Sequence, residues 1–116
     1  MTETEVPEDH PRHTSLVTRH RIEDGVDLGI TSRQGLIAQG RGEAFDYLLG
    51  EQTLPSADNA ERAAAAALLD ATDPVLSVNG NVAALVPSAI VELADSVDAA
   101  LEVNLFNRTD ERMRAI

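Results

Sequence analysis

The sequence of 116 residues has no cysteine, no tryptophan and no lysine, and only 3% of it is aromatic. Without a thiol there is no cysteine nucleophile, zinc ribbon, iron–sulfur cluster or disulfide scaffold. Without an amine side chain there is neither a Schiff-base lysine nor the lysine of a Walker-type phosphate loop. No apolar run approaches the ~20 residues of a membrane span, and the opening Met1-Thr2-Glu3-Thr4-Glu5 is acidic where a secretory leader is basic. The expected setting is the cytoplasm, with no membrane partner. All nine cations are arginine and face 20 Asp+Glu, for a formal charge of −11. That balance argues against nucleic acid as a partner, since phosphate contacts need a net basic face. It also creates self-repulsion that concentrated salt would relieve, because the Debye length at 1 M is only about 3 Å. An acidic, lysine-free, alanine-rich composition looks like that of a salt-accumulating halophile; the alternative is an unusually acidic mesophilic protein.

What is present is one domain's worth of patterned chain, 43% hydrophobic and long enough to bury roughly two-thirds of its unfolded surface. Residues 1–14, with Pro7 and Pro11, read as a polar arm, and residues 15–116 as the structured unit. Leu16, Arg19, Ile22, Val26 and Ile30 recur at three- and four-residue steps, predicting a helix over Ser15–Gly29. Thr31 and Gln34 have the form of a capping box that opens a second helix. Gly35, Gly40 and Gly42 then predict a bend or break near Gly40-Arg41-Gly42, because each glycine costs about 1 kcal/mol in a helix interior. Helical spacing resumes over Glu43–Leu49, and Gly50 is a stop. Ser56 caps a third helix, in which five consecutive alanines, Ala63–Ala67, predict close helix packing.

Val75–Val78 reads as a buried strand between Pro74 and Asn79-Gly80. Pro87–Val97 is an amphipathic helix with Ile90, Val91, Leu93, Ala94 and Val97 inward. Leu101–Phe106 is a second strand, and Thr109 caps a last helix. The class is therefore α/β: N-terminal helices, then a parallel β-α-β unit. Ligands of such sheets bind beyond the carboxyl ends of the strands, here Asn79-Gly80-Asn81 and Asn107-Arg108-Thr109.

Several residues could carry chemistry, and each has a plainer reading. Gly40-Arg41-Gly42 before a helix start could cradle a phosphate, with backbone amides and a guanidinium fork, or be an inter-helix turn with a surface arginine. Asn79 and Asn81 could hydrogen-bond a polar substrate or form an ordinary turn. Arg19, within an apolar stripe, either snorkels or points into a site. Arg108 could clamp an anion or pair with one of the many acids. His10, His13 and His20 lack supporting ligands, so no metal site is expected. Catalytic carboxylates have no distinguishing pattern in so acidic a chain.

Four segments together carry a resemblance. They are His10-Pro11-Arg12; Gly35-Leu36-Ile37-Ala38 leading into Gly40-Arg41-Gly42-Glu43-Ala44-Phe45-Asp46-Tyr47-Leu48; Ser77-Val78-Asn79-Gly80-Asn81-Val82-Ala83-Ala84-Leu85-Val86-Pro87; and Glu102-Val103-Asn104-Leu105-Phe106 with Arg108-Thr109. From His10 onward the chain resembles the archaeal phosphopantothenate synthetase family, also called 4-phosphopantoate–β-alanine ligase. Gln39 departs from the resemblance, standing where a histidine is expected in many relatives.

The resemblance implies a Rossmann-like, homodimeric, ATP-dependent ligase of coenzyme A biosynthesis. It would join 4-phosphopantoate to β-alanine through an acyl-adenylate, releasing AMP and diphosphate, with Mg²⁺ as the companion ion. It implies that Arg19 and Arg41 contact ATP. Asn79, Asn81 and Arg108 are then the candidates for the substrate phosphate, by position at the strand ends. It also implies a family that continues beyond Ile116, so that these residues correspond to its N-terminal half. The competing expectation is a nucleotide- or phosphate-binding module, or a dimerisation fragment, without turnover.

Overall fold

In the computed structural model, which describes residues 6–106 and 108–116, the α/β expectation holds in its coarse form. The elements run α1 (His13–Asp27), α2 (Arg33–Leu49), α3 (Pro55–Asp70), β1 (Val75–Val78), α4 (Gly80–Leu85), α5 (Pro87–Val97), β2 (Ala100–Val103) and α6 (Asp110–Ala115). The two strands are parallel, with Val75 opposite Ala100 and Val78 opposite Val103. A parallel pair needs a crossover, and α4 with α5 supplies it.

Strand β2 is shorter than its apolar run Leu101–Phe106. Asn104 still donates its backbone N–H to Val78 O, but β1 ends there, and later residues have no ladder to join. Leu105 and Phe106 turn away instead, leaving Phe106 96% exposed.

The core lies where α1 meets α2 and α4. Ile22 of α1 is fully buried, and Val78 of β1 and Ala94 of α5 are the other buried apolar side chains among the described residues. Of the residues expected inward on α5, Val91 and Leu93 are 52% and 41% exposed, because a two-stranded sheet covers only a narrow strip of the helix. Helix α3 buries nothing. Its alanines are exposed, so Ala63–Ala67 express helix propensity and not the close packing expected of them.

Three local expectations are corrected. Helix α2 runs unbroken through Gly40-Arg41-Gly42; its packing on α1 outweighs their propensity cost, and nothing lies within 4 Å of either added Cβ. The capping box does not form. Ser32 is the N-cap and makes no side-chain cap bond, while the Thr31 hydroxyl donates to Asn81 Oδ1 at 2.6 Å. Third, α3 begins at Pro55 after Leu54 and not at a Ser56 cap, since proline suits the first helical position.

Candidate functional site

Beyond the carboxyl ends of both strands lies a cleft of about 230 Å³, walled by Thr31, Gln34, Gly35 and Ala38 on one side and by Asn79, Asn81, Asn104 and Arg112 on the other, with Leu105 and Phe106 adding apolar surface. Its geometry depends on a helix that sequence reading took for a turn. Asn79 has extended backbone and accepts from Val82 N at 3.0 Å, so it is the N-cap of α4. Asn81, the second residue of α4, accepts from Thr31 at Oδ1 and donates from Nδ2 to Gly35 O at 2.9 Å. These bonds pin α4 to α2. They leave Asn81 with its second amide hydrogen unspent.

Two glycines permit the close approach. A Cβ on Gly35 would collide with Asn81 and Thr31, and one on Gly80 would meet the Ile30 carbonyl at 2.6 Å and Arg112 Nη2 at 2.8 Å. Arg112 Nη2 also donates to Ile30 O at 3.1 Å, bringing α6 onto the cleft. Arg112 was not a sequence candidate; its position on the inner side of a capped terminal helix was the only signal.

Arg108 lies apart. It lines a neighbouring cavity of about 440 Å³ with Met113 and Ile116, and its Nε donates to Met113 Sδ at 3.0 Å. Asn107, between Phe106 and Arg108, lies outside the described residues.

The second polar centre sits between α1 and α2. Glu43 is only 5% exposed. Its Oε1 accepts from Arg12 Nη2 at 2.7 Å and from the Tyr47 hydroxyl at 2.9 Å, and its Oε2 accepts from Arg19 Nη2 at 2.8 Å. These bonds, that from Arg19 foremost and against the opposing cost of burial, hold the carboxyl down to about 2. Arg12 is in turn raised above its ordinary value, chiefly by its hydrogen bond to Glu43.

Arg19 therefore neither snorkels nor lies loose in an apolar stripe. It is fixed by a buried acid. Sequence reading missed Glu43, Arg12 and Tyr47, because no helical spacing links residue 12 or 19 to residue 43.

Arg19 and Arg41 are not brought together within one chain. Arg41 precedes Glu43 by two positions, about 200° round the helix, so it projects from the side of α2 away from Arg19, and it is exposed. It continues the stripe of Gln34 and Ala38, which wall the cleft. Among the described residues no group of three or more His, Asp or Glu could hold a metal ion. No helix there is long and apolar enough to cross a membrane.

Fold and cleft together define an α/β protein with a neutral, amide-rich recess and one guanidinium at the carboxyl edge of a parallel sheet. Comparison with known proteins goes further. Residues 56–116 match the phosphopantothenate/pantothenate synthetase family, and the chain belongs to it. Over 113 residues it is 62% identical to the 4-phosphopantoate–β-alanine ligase of Methanosarcina mazei, covering 97% of this chain and 45% of that protein. Ligases of the same name from Thermococcus onnurineus and Thermococcus kodakarensis are each 57% identical over 111 residues, 96% of this chain and 42% of theirs. The chain thus spans less than half the length of these curated relatives.

Proposed function

We propose that the chain is the arginine-bearing part of an ATP-dependent ligase that condenses 4-phosphopantoate with β-alanine in coenzyme A biosynthesis. The observation that carries this is sequence identity of 57–62% to ligases of that name over nearly the whole chain. The pantoate carboxylate attacks the α-phosphorus of ATP, giving an acyl-adenylate and diphosphate. The neutral amine of β-alanine then attacks the acyl carbon, AMP leaves, and the amine gives up a proton as the amide forms.

The chain's own groups suit the electrostatic side of this chemistry. Charge develops on phosphate oxygens during adenylation, and fixed guanidinium groups stabilise it without reorganising. Arg19 and Arg41 are the nucleotide contacts on this reading. Their placement on opposite sides of α2 suits a nucleotide held between two copies of the chain, and so a homodimer. The phosphate of 4-phosphopantoate would meet the cleft, with Asn79 and Asn81 in its wall, Arg112 as the cation and Arg108 on the adjoining loop. The described residues offer no carboxylate cluster for Mg²⁺, and no step is assigned to it. A Rossmann-like sheet would require further strands beside β1 and β2, drawn from the length the relatives have and this chain does not span. A cytoplasmic setting follows from the reaction's substrates.

The test is AMP release that requires both ATP and β-alanine, measured in concentrated KCl. The short span of the match favours one competing reading, a nucleotide- or phosphate-binding module without turnover. ATP binding with no AMP formed would establish that reading instead. Within the ligase reading, Arg41→Ala is expected to lower kcat/KM for ATP by about tenfold or more; unaltered turnover would remove Arg41 from the site.

A further inference from the structure

Glu43 is absorbed by no step of the proposed reaction, yet it is the most deeply placed ionised group among the described residues. Its surroundings are asymmetric. Oε1 is saturated by Arg12 and Tyr47, and Oε2 is given to Arg19 alone. Arg12 and Tyr47 therefore hold the carboxylate, and the carboxylate holds Arg19. The Arg12 guanidinium takes this position although its Nε is buried without a partner among the described residues, so the arrangement is not the one that best satisfies Arg12 itself.

The Arg19 side chain remains 35% exposed and spends one terminal nitrogen on Glu43. A guanidinium carries five N–H donors in a rigid fork. One anchored edge leaves another edge free, at a fixed angle, for an outside anion. Anchoring also removes rotamer freedom before any ligand arrives, which lowers the entropic cost of binding.

We propose that Glu43 is a positioning residue, acting through Arg19: from inside the α1–α2 interface it sets the angle at which Arg19 meets the phosphates of ATP. This rests on the reading of Arg19 as a nucleotide contact. Glu43 itself touches neither substrate nor nucleotide.

The experiment is a double-mutant cycle in the full-length protein, with Arg19→Ala, Glu43→Gln and the pair. The KM of ATP, the KM of β-alanine and kcat are read for each. Arg19→Ala and Glu43→Gln are each expected to raise the KM of ATP by about tenfold, with the KM of β-alanine within about twofold of the parent. The pair is expected to be no worse than Arg19→Ala alone. Glu43→Asp should recover part of the loss.

Multiplying effects in the pair, or equal rises in both KM values, would overturn the positioning role. A silent Glu43→Gln beside a damaging Arg19→Ala would overturn it while leaving the nucleotide reading intact. A silent Arg19→Ala would overturn both. If Glu43→Gln does not fold, Tyr47→Phe takes its place, since it removes the hydroxyl that donates to Glu43 at 2.9 Å and keeps the ring. It should raise the KM of ATP about twofold to threefold with unchanged circular dichroism, and an unchanged KM would overturn the proposal.

Discussion

A carboxylate taken out of water must be matched by donors, or it neutralises itself. Glu43 meets that condition with two guanidiniums and a phenol, and the consequence is a folded pKa of about 2 against an ordinary 4.5. The sign follows directly. A depressed folded pKa contributes stability above the unfolded value, and the contribution drains away as pH falls from about 4.5 toward 2. Wild type should therefore exceed Glu43→Gln most in urea midpoint near pH 7, with the gap narrowing below about pH 4.5. A gap that widened in acid would mean the acid is not ion-paired in solution. At this scale Arg19 was legible, as a cation in a stripe of apolar positions, but its partner was not. Ion pairs across helices depend on which faces meet, and that is not written in the spacing of either helix.

Among elements, the informative disagreement is α2. Glycine propensity predicted a bend at Gly40-Arg41-Gly42, and the helix continues from Arg33 to Leu49. Propensity is a weak prior, and the packing of α2 on α1 outweighs about 2 kcal/mol spread over two positions. Neither glycine has a neighbour within 4 Å that an added methyl group would meet. Gly40→Ala and Gly42→Ala should each stabilise the chain by about 0.5–1 kcal/mol, raising Tm by roughly 3–6 °C in a thermal melt. A lowered Tm would show that the bend exists in solution.

The opposite lesson comes from Asn79-Gly80-Asn81. The same residues that read as a turn cap and open α4, because an extended asparagine whose side chain accepts from the third residue on is a helix start. The strands and α5 were legible from apolar runs and proline punctuation, as these depend on neighbours in sequence.

At the scale of the molecule, charge and surface dominate. The radius of gyration is 15.8 Å, against about 13 Å for a compact domain of this length. Helix α3, which buries no residue, stands off the core, and apolar side chains are left outside, such as Leu48 at 80% and Leu69 at 69% exposure. On the proposed reading these are faces that a second copy, or the remaining length of the family, would cover. With a formal charge of −11, the folded chain also works against its own repulsion. Raising KCl from about 0.1 to 2 M should lift Tm by roughly 5 °C or more, because screening relieves the compact state more than the expanded one. A Tm that fell with salt would argue against the halophilic reading of the composition.

The sequence by itself determined most of the helix- and strand-forming runs, α4 excepted, together with the acidic composition and the family resemblance. All of these are properties of local pattern and composition. Only the tertiary structure decided that Thr31 serves Asn81 instead of capping α2, that Arg112 reaches the cleft while Arg108 lines a cavity beside it, and that α2 carries Glu43 and Arg41 on opposite sides. Each of those outcomes depends on the approach of surfaces distant in the chain. Hydrogen-bond demand and steric room at such contacts are fixed only when the elements pack.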